Sequence, residues 1–289
     1  MLLPLSLAVI MLGIGLRLDF SQFTEVFRQP KAILFGLFAQ IILLPGIAFL
    51  IAWLYPLSDN QKVGILLLAA CPGGTASNLV TMMVGGRTAL SVSLTAFNSF
   101  IILFSIPLVL YLGSGSFLSD PLDVRVRPRD VLPEIGLVVL LPVTAGMLIR
   151  HFQRSRIKAI EGYLRYILPG ILLLVFAWVW LQENGEDSDL QSSFLPVIIP
   201  LLMLNIGGMI VGYTTSRWIG ITSDGSSTIA IEMGLQNTAL AIFLANAVLD
   251  KPALGLMAVF YAFFSFFTTW LVGWVMMRRT KKTTTFAED

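Results

Sequence analysis

Nine stretches of this chain are too long and too apolar to be hidden from water inside one small core. They run at 2–16, 30–54, 62–84, 88–112, 131–150, 164–182, 194–216, 227–249 and 253–277, most of them near the roughly 20 residues that an α-helix needs to cross a bilayer. In hydrocarbon every backbone donor and acceptor must be satisfied within the fold, so runs of this length leave the helix as their form. The sequence therefore predicts an all-α polytopic membrane protein of about nine spans. Composition agrees. Hydrophobic residues make up 56% and charged residues 12%, about half the charge of a soluble domain. A net charge of +2 gives no field for a nucleic-acid partner. The single cysteine, Cys71, and single histidine, His151, exclude a disulfide framework and a Cys/His zinc cluster. The first run has no basic leader and no small-residue cleavage site, and it reads as a span rather than a removable signal.

Lysine and arginine set the direction. Most of the 19 fall in one set of alternate loops: Arg17, Arg28 and Lys31; Arg87; the basic stretch Arg150 to Arg165; Arg217; and the tail with Arg278, Arg279, Lys281 and Lys282. The positive-inside rule then places the tail 278–289 in the cytosol and the N-terminus outside. The acidic loop Glu183–Asp189 falls outside, while Arg125, Arg127 and Arg129 in the Gly113–Asp130 loop are the dissenting charges. The expected location is a cell membrane, the inner membrane of a bacterium.

Two runs are unlike the rest. The third contains Cys71-Pro72-Gly73-Gly74-Thr75-Ala76-Ser77-Asn78, where a proline and two glycines weaken the helix just before three polar side chains. A broken helix facing a polar cavity would use all of this: freed carbonyls become cation ligands, and the new helix N-terminus offers amide donors to an anion. The eighth contains Ile231-Glu232-Met233-Gly234-Leu235-Gln236-Asn237-Thr238. Glu232 is the one acid well inside a span, where a charge costs on the order of 3 kcal/mol and a bound cation would remove much of that cost. Glu232 and Gln236, four apart, are expected on one helical face. Ser91, Thr95 and Asn98 form a polar stripe at helical spacing. Gln40 sits mid-way along the second span and Asn205 mid-way along the seventh. Such oxygens suit a hard cation, and one formal charge favours a monovalent one: sodium, or a proton on Glu232 alone. Spans two to four and seven to nine each run amide, interrupted helix, closing helix. Two such sets in opposite orientation are the pattern of a secondary carrier with its site at mid-membrane.

Taken singly, each polar residue is as readily helix-to-helix glue as ligand. Together, the segment 71–78, then Ser91 and Thr95, then Glu232-Met233-Gly234-Leu235-Gln236-Asn237 resemble the bile acid:sodium symporter family over essentially the whole chain. The resemblance implies a core bundle with two crossing, unwound helices (30–112 and 194–277) beside a panel (1–29 and 131–182). It implies that the first helix of ten-helix bacterial members is absent here. It also implies two sodium ions: one held by Ser77, Asn78, Ser91, Thr95 and Glu232, the other by Gln40, Glu232, Gln236 and the backbone carbonyls of Met233 and Leu235. Asn237 resembles an asparagine that faces substrate. Thr75, Asn98 and Asn205 are further candidates for the substrate cavity. Thr268 and Thr269 stand where some bacterial relatives have a polar His-Asn pair. The implied activity is sodium-coupled symport of a small organic anion, a bile acid or a smaller carboxylate, across the lipid bilayer by rocking of core against panel. The alternatives are an exporter of the related arsenite type, which would use Cys71, and a non-transporting receptor of the same fold. No nucleophile–base pair or metal cluster lies in the spans, so no enzyme is expected.

Overall fold

The computed structural model of the chain describes residues 2–20, 28–118, 136–157 and 190–285, with isolated positions at 133, 159, 160 and 163. All regular structure among the described residues is helical. Helix α1 is Leu2–Arg17. Helix α2 is Pro30–Leu54, opened by a proline whose missing N–H costs nothing at that position. It contains a wide π turn at Ala39–Leu43 just before Pro45. The wider turn relieves the clash that a proline ring makes with the preceding turn. Helix α3, Asp59–Ala70, begins with a reciprocal cap: Ser58 Oγ accepts from Gln61 N–H, and Gln61 Oε1 accepts from Ser58 N–H. Helix α4 is Thr75–Val84 and ends at Gly85, whose φ of 80° is the left-handed conformation that closes a helix cheaply. Helix α5 is Thr88–Phe117, and α6 is Leu141–Phe152 behind a π turn at Gly136–Leu140. Helix α7 runs from Leu190–Leu202 through the π turn Met203–Gly207 into Gly208–Trp218. Helix α8 is Ser223–Gly234, α9 is Thr238–Phe243 continued by the π turn Leu244–Val248, and α10 is Pro252–Thr285.

Five helical stretches among the described residues are long and apolar enough to cross a membrane: Pro30–Leu54, Thr88–Phe117, Pro196–Trp218, Ser223–Asn246 and Pro252–Arg278. The expected span at 62–84 is two short helices, α3 and α4, broken at 71–74. The expected span at 164–182 lies outside the described residues. Helix α5 continues past the expected end at 112 to Phe117, and Gly113 lies close against Leu66. Helix α10 continues past 277, with the Arg278 guanidinium stacked 3.7 Å over the Trp274 ring.

The packing is inverted relative to a soluble protein. Large apolar side chains such as Trp53, Phe104, Phe263 and Phe267 are exposed, while Gln40, Ser77, Ser91, Thr95, Asn98, Asn205, Glu232 and Gln236 are buried. The broken segment Ser223–Asn246 is the most enclosed, with 89% of its most apolar window buried against 39% for α2. That follows from its freed backbone groups, which lipid cannot satisfy. Helix α10 packs on α3, α4, α8 and α9 and so braces both broken helices.

Helices α1 and α6 pair with each other through glycines. A Cβ on Gly146 would strike the backbone of Leu12, Gly15 and Leu16, and one on Gly15 would strike that of Val143. Small residues let two membrane helices approach this closely. Arg150 closes the end of the pair by donating to Leu16 O at 2.9 Å, and Asp19 sits 3.7 Å from it and 3.5 Å from Arg154. Gly146→Leu is expected to cost about 1–3 kcal/mol by overpacking against backbone that cannot rotate away. The check is the melting temperature of detergent-purified protein; no change would mean that the helices do not meet at these glycines.

Candidate functional site

The two helix breaks touch. After α3 the chain is extended at Cys71, with φ −69° and ψ 147°. After α8 it is extended at Leu235, with φ −123° and ψ 111°. The Asn237 N–H of the second break donates to Pro72 O of the first at 2.8 Å. Each break thus supplies the backbone partner that the other lost. Asn237 also caps α9, its Oδ1 accepting from Leu240 N–H at 3.1 Å.

Glu232 lies on the last turn of α8, 1% exposed. Its partners are hydroxyls. Thr95 Oγ1 donates to Oε1 at 2.6 Å, and Ser91 Oγ lies 3.1 Å from Oε2. Asn78 Oδ1 is 2.7 Å from the same Ser91 Oγ and 3.4 Å from Thr95 Oγ1. Ser77 Oγ donates to Gly74 O at 2.7 Å. Each hydroxyl carries one proton, so the carboxylate and amide oxygens outnumber the hydrogens that could satisfy them. Among the described residues no lysine or arginine pairs with Glu232. Oxygens of three types, one of them charged, are a donor set that fits a hard cation.

Gly73 makes the approach possible. A Cβ built there lands on the Glu232 carboxylate and 3.2 Å from Ser77 Oγ. This glycine is needed for space rather than for an unusual φ.

Beside this cluster Gln40 reaches across from the π turn of α2. Its Nε2 donates to Cys71 O at 3.0 Å and to Gln236 Oε1 at 2.7 Å, and Gln236 Nε2 donates to Met233 O at 2.9 Å. Gln40 Oε1 is buried without a hydrogen-bond partner among the described residues. The helical face expected to carry Glu232 and Gln236 together does not form. Helix α8 ends at Gly234, so Gln236 lies on the extended strand and meets the site by folding back on Met233.

Asn205 occupies the matching place in the second half, on the π turn of α7. Its Nδ2 lies 2.5 Å from Gly234 O, 2.9 Å from Thr269 Oγ1 and 3.1 Å from Tyr261 OH. Thr268 Oγ1 donates to Asn205 Oδ1 at 2.7 Å. Of the residues expected at a substrate cavity, Asn205 and Thr269 thus meet at one backbone carbonyl, and Thr268 bonds the Asn205 amide oxygen. Asn98 is buried, and neither of its amide atoms has a hydrogen-bond partner among the described residues. Asn237 stands half-buried at the crossing. Thr75 opens α4, and its side chain is outside the described residues. Cys71, on which a thiol-using exporter would depend, is wholly buried and offers its carbonyl to Gln40.

Two features escaped the sequence reading. Tyr261 is wholly buried in α10 and donates to Gly234 O at 2.7 Å; the available signal was a tyrosine in a span, whose hydroxyl must find a partner. Arg87, read only as a topology charge, ties the α4–α5 turn to α8. Its N–H donates to Thr228 Oγ1 at 2.9 Å, and its side chain lies 3.7 Å from Asp224.

Comparison with known sequences places the chain in a family. Residues 4–187 match the model of the sodium bile acid symporter family. An uncharacterized sodium-dependent transporter of Bacillus subtilis, YocS, is 31% identical over 85% of this chain and 74% of its own length. A probable chloroplastic sodium/metabolite cotransporter of Oryza sativa subsp. japonica, BASS1, is 32% identical over 84% of this chain, which spans 57% of that longer protein. The hepatic sodium/bile acid cotransporter of Rattus norvegicus is 27% identical over 88% of this chain and 69% of its own length. With its apolar helices and its two breaks meeting at a buried carboxylate, the chain belongs to the sodium bile acid symporter family and is an integral membrane transporter, not an enzyme.

Proposed function

We propose that the protein is a symporter that couples the inward gradient of two sodium ions to uptake of one small organic anion, a bile acid or a smaller carboxylate. The observation that carries this reading is Glu232: a buried acid with no cationic side chain beside it among the described residues, held among hydroxyl and amide oxygens where two unwound segments meet. One ion is assigned to Ser77, Asn78, Ser91, Thr95 and Glu232. The other is assigned to Gln40, Glu232, Gln236 and the carbonyls of Met233 and Leu235, a set that would satisfy the buried Gln40 Oε1. Sodium neutralises Glu232 and holds the two breaks together. The anion then meets amide donors at the start of α4, near Thr75, and the Nδ2 of Asn237, whose Oδ1 is committed to the α9 cap. Asn98, buried with its amide unsatisfied, is assigned to the same polar interior. Two cations with one monovalent anion make the cycle electrogenic.

The halves are read as an inverted repeat. Support comes from Gln40 and Asn205. Each lies on a π turn, and each donates to a backbone carbonyl at the break in its own half: Cys71 O, from the first extended residue after α3, and Gly234 O, from the last residue of α8. The core comprises 30–112 and 194–277. It rocks against a panel built from 1–29 and 131–182, with the N-terminus outside and the tail in the cytosol of a bacterial inner membrane.

The test is uptake of labelled small carboxylates and bile acids into proteoliposomes under a sodium gradient with the membrane potential clamped. Sodium-driven accumulation that grows with an inside-negative potential is expected. Equal uptake after potassium replaces sodium would end the sodium reading, and binding without accumulation would leave a receptor. Gln40→Ala removes the amide joining the two breaks. Hydrogen bonds to a charged site contribute about 1.5 kcal/mol or more, so the half-activating sodium concentration should rise about tenfold. The steepness of the sodium activation curve should fall, as measured by initial rates.

A further inference from the structure

The Gly234 carbonyl is held by more donors than a carbonyl has lone pairs. Asn205 Nδ2, Tyr261 OH and Thr269 Oγ1 all lie within 2.5 to 3.0 Å of it. A carbonyl accepts about two hydrogen bonds, so three converging donors leave this one little freedom to turn. All four residues are buried, and a Cβ on Gly234 would fall 2.7 Å from Met209 and 2.8 Å from Thr269 Oγ1. The carbonyl that the matching amide reaches in the first half is held differently. Cys71 O receives Gln40 Nε2 at 3.0 Å, and the other atom of that amide, Oε1, is buried without a partner among the described residues. In the second half the other atom of the amide, Asn205 Oδ1, already accepts from Thr268. One half leaves an oxygen for a cation; the other closes its oxygens with protein hydroxyls.

We infer that Asn205, Tyr261 and Thr269 form a permanent clamp on Gly234 O that sets sodium affinity by orienting the neighbouring peptide groups. At Leu235 the chain is extended, and along an extended chain successive groups point to opposite sides. Fixing Gly234 O toward α7 and α10 therefore turns the Leu235 carbonyl the other way, toward the crossing. It also holds the turn in which Met233 O meets Gln236. The clamp residues do not touch the ion; they are positioning residues. They also keep the second break rigid, so that sodium need order only the first. This deepens the sodium reading above and rests on it.

Tyr261→Phe and Thr269→Val each delete one hydroxyl, keep the shape of the side chain, and leave two donors on the carbonyl, so the tie between α8 and α10 survives. Thr269→Ser restores the hydroxyl. Sodium titrations of thermal stability and of initial uptake rate are run on all three and on the parent. The half-activating sodium concentration should rise about fivefold in Tyr261→Phe and in Thr269→Val, which is about 1 kcal/mol of lost preorganisation. It should return to the parent value in Thr269→Ser, with the maximal rate at saturating sodium little changed in Tyr261→Phe. A parent that responds to sodium, with both variants within twofold of it and only their sodium-free stability lowered, would overturn the clamp while leaving the sodium reading intact. A parent indifferent to sodium would overturn both, and is recognised before any variant is measured.

Discussion

Glu232→Gln should abolish sodium-driven uptake while making the sodium-free protein harder to melt. The two effects have one cause with opposite signs. In the absence of an ion, the 1%-exposed carboxylate is a buried charge whose cost is on the order of 3 kcal/mol, and a neutral amide removes it. In the presence of sodium, that charge is the main attraction shared by both proposed ion positions. At a separation near 4 Å and an effective dielectric of about 20, a pair of unit charges contributes about 4 kcal/mol. Losing most of it lowers affinity by a factor of a few hundred. The amide also introduces an N–H₂ where Thr95 Oγ1 now donates at 2.6 Å, so one hydrogen bond must reverse. The check pairs thermal melts in sodium and in choline with uptake into vesicles. A variant that keeps its sodium-dependent melting shift would show that the ion does not bind at this acid.

Gly73→Ala should be nearly as damaging to transport, although it adds a single methyl group. The added carbon cannot avoid the Glu232 carboxylate, and Ser77 Oγ lies 3.2 Å away on the other side. The backbone at Gly73 cannot retreat easily, because the preceding Pro72 O is held by Asn237 N–H at 2.8 Å. The carboxylate must move instead, pulling away from Thr95 and Ser91. Overpacking of this kind costs about 1–3 kcal/mol, and here it falls on the ion ligands. Sodium affinity should drop roughly tenfold to a hundredfold, read as the half-activating concentration for uptake. Gly74→Ala is the comparison: a Cβ there meets nothing within 4 Å, so it should behave close to the parent. Equal behaviour of the two variants would mean that the carboxylate does not sit against Gly73.

Much of this site was legible because membrane sequences carry few polar residues. Pro72-Gly73-Gly74 marked the first break, and Glu232 marked the last turn before the second. Ser91 and Thr95 followed from helical spacing, and they do meet Glu232. The reading went astray where spacing was trusted across a break. Gln236 was expected on a helical face with Glu232, yet α8 ends at Gly234. Tyr261 was passed over because a tyrosine in an apolar run carries no local sign of what its hydroxyl will reach.

The sequence by itself determined that the chain is a bundle of lipid-embedded helices, where its helices break, and which residue carries the buried charge. These are local properties, set by hydropathy over one helix length and by the backbone limits of proline and glycine. Only the tertiary structure decided which oxygens meet. Ser91 and Glu232 are 141 residues apart and Asn205 and Thr269 are 64 apart, and it alone brought Gln40 to Cys71 O and Gln236, and Asn205 to Gly234 O, Tyr261 and Thr269. Those pairings depend on the packing of whole helices. An amide mid-span looks the same from its neighbours in the chain whether its oxygen is left open or is already taken by a hydroxyl from another helix.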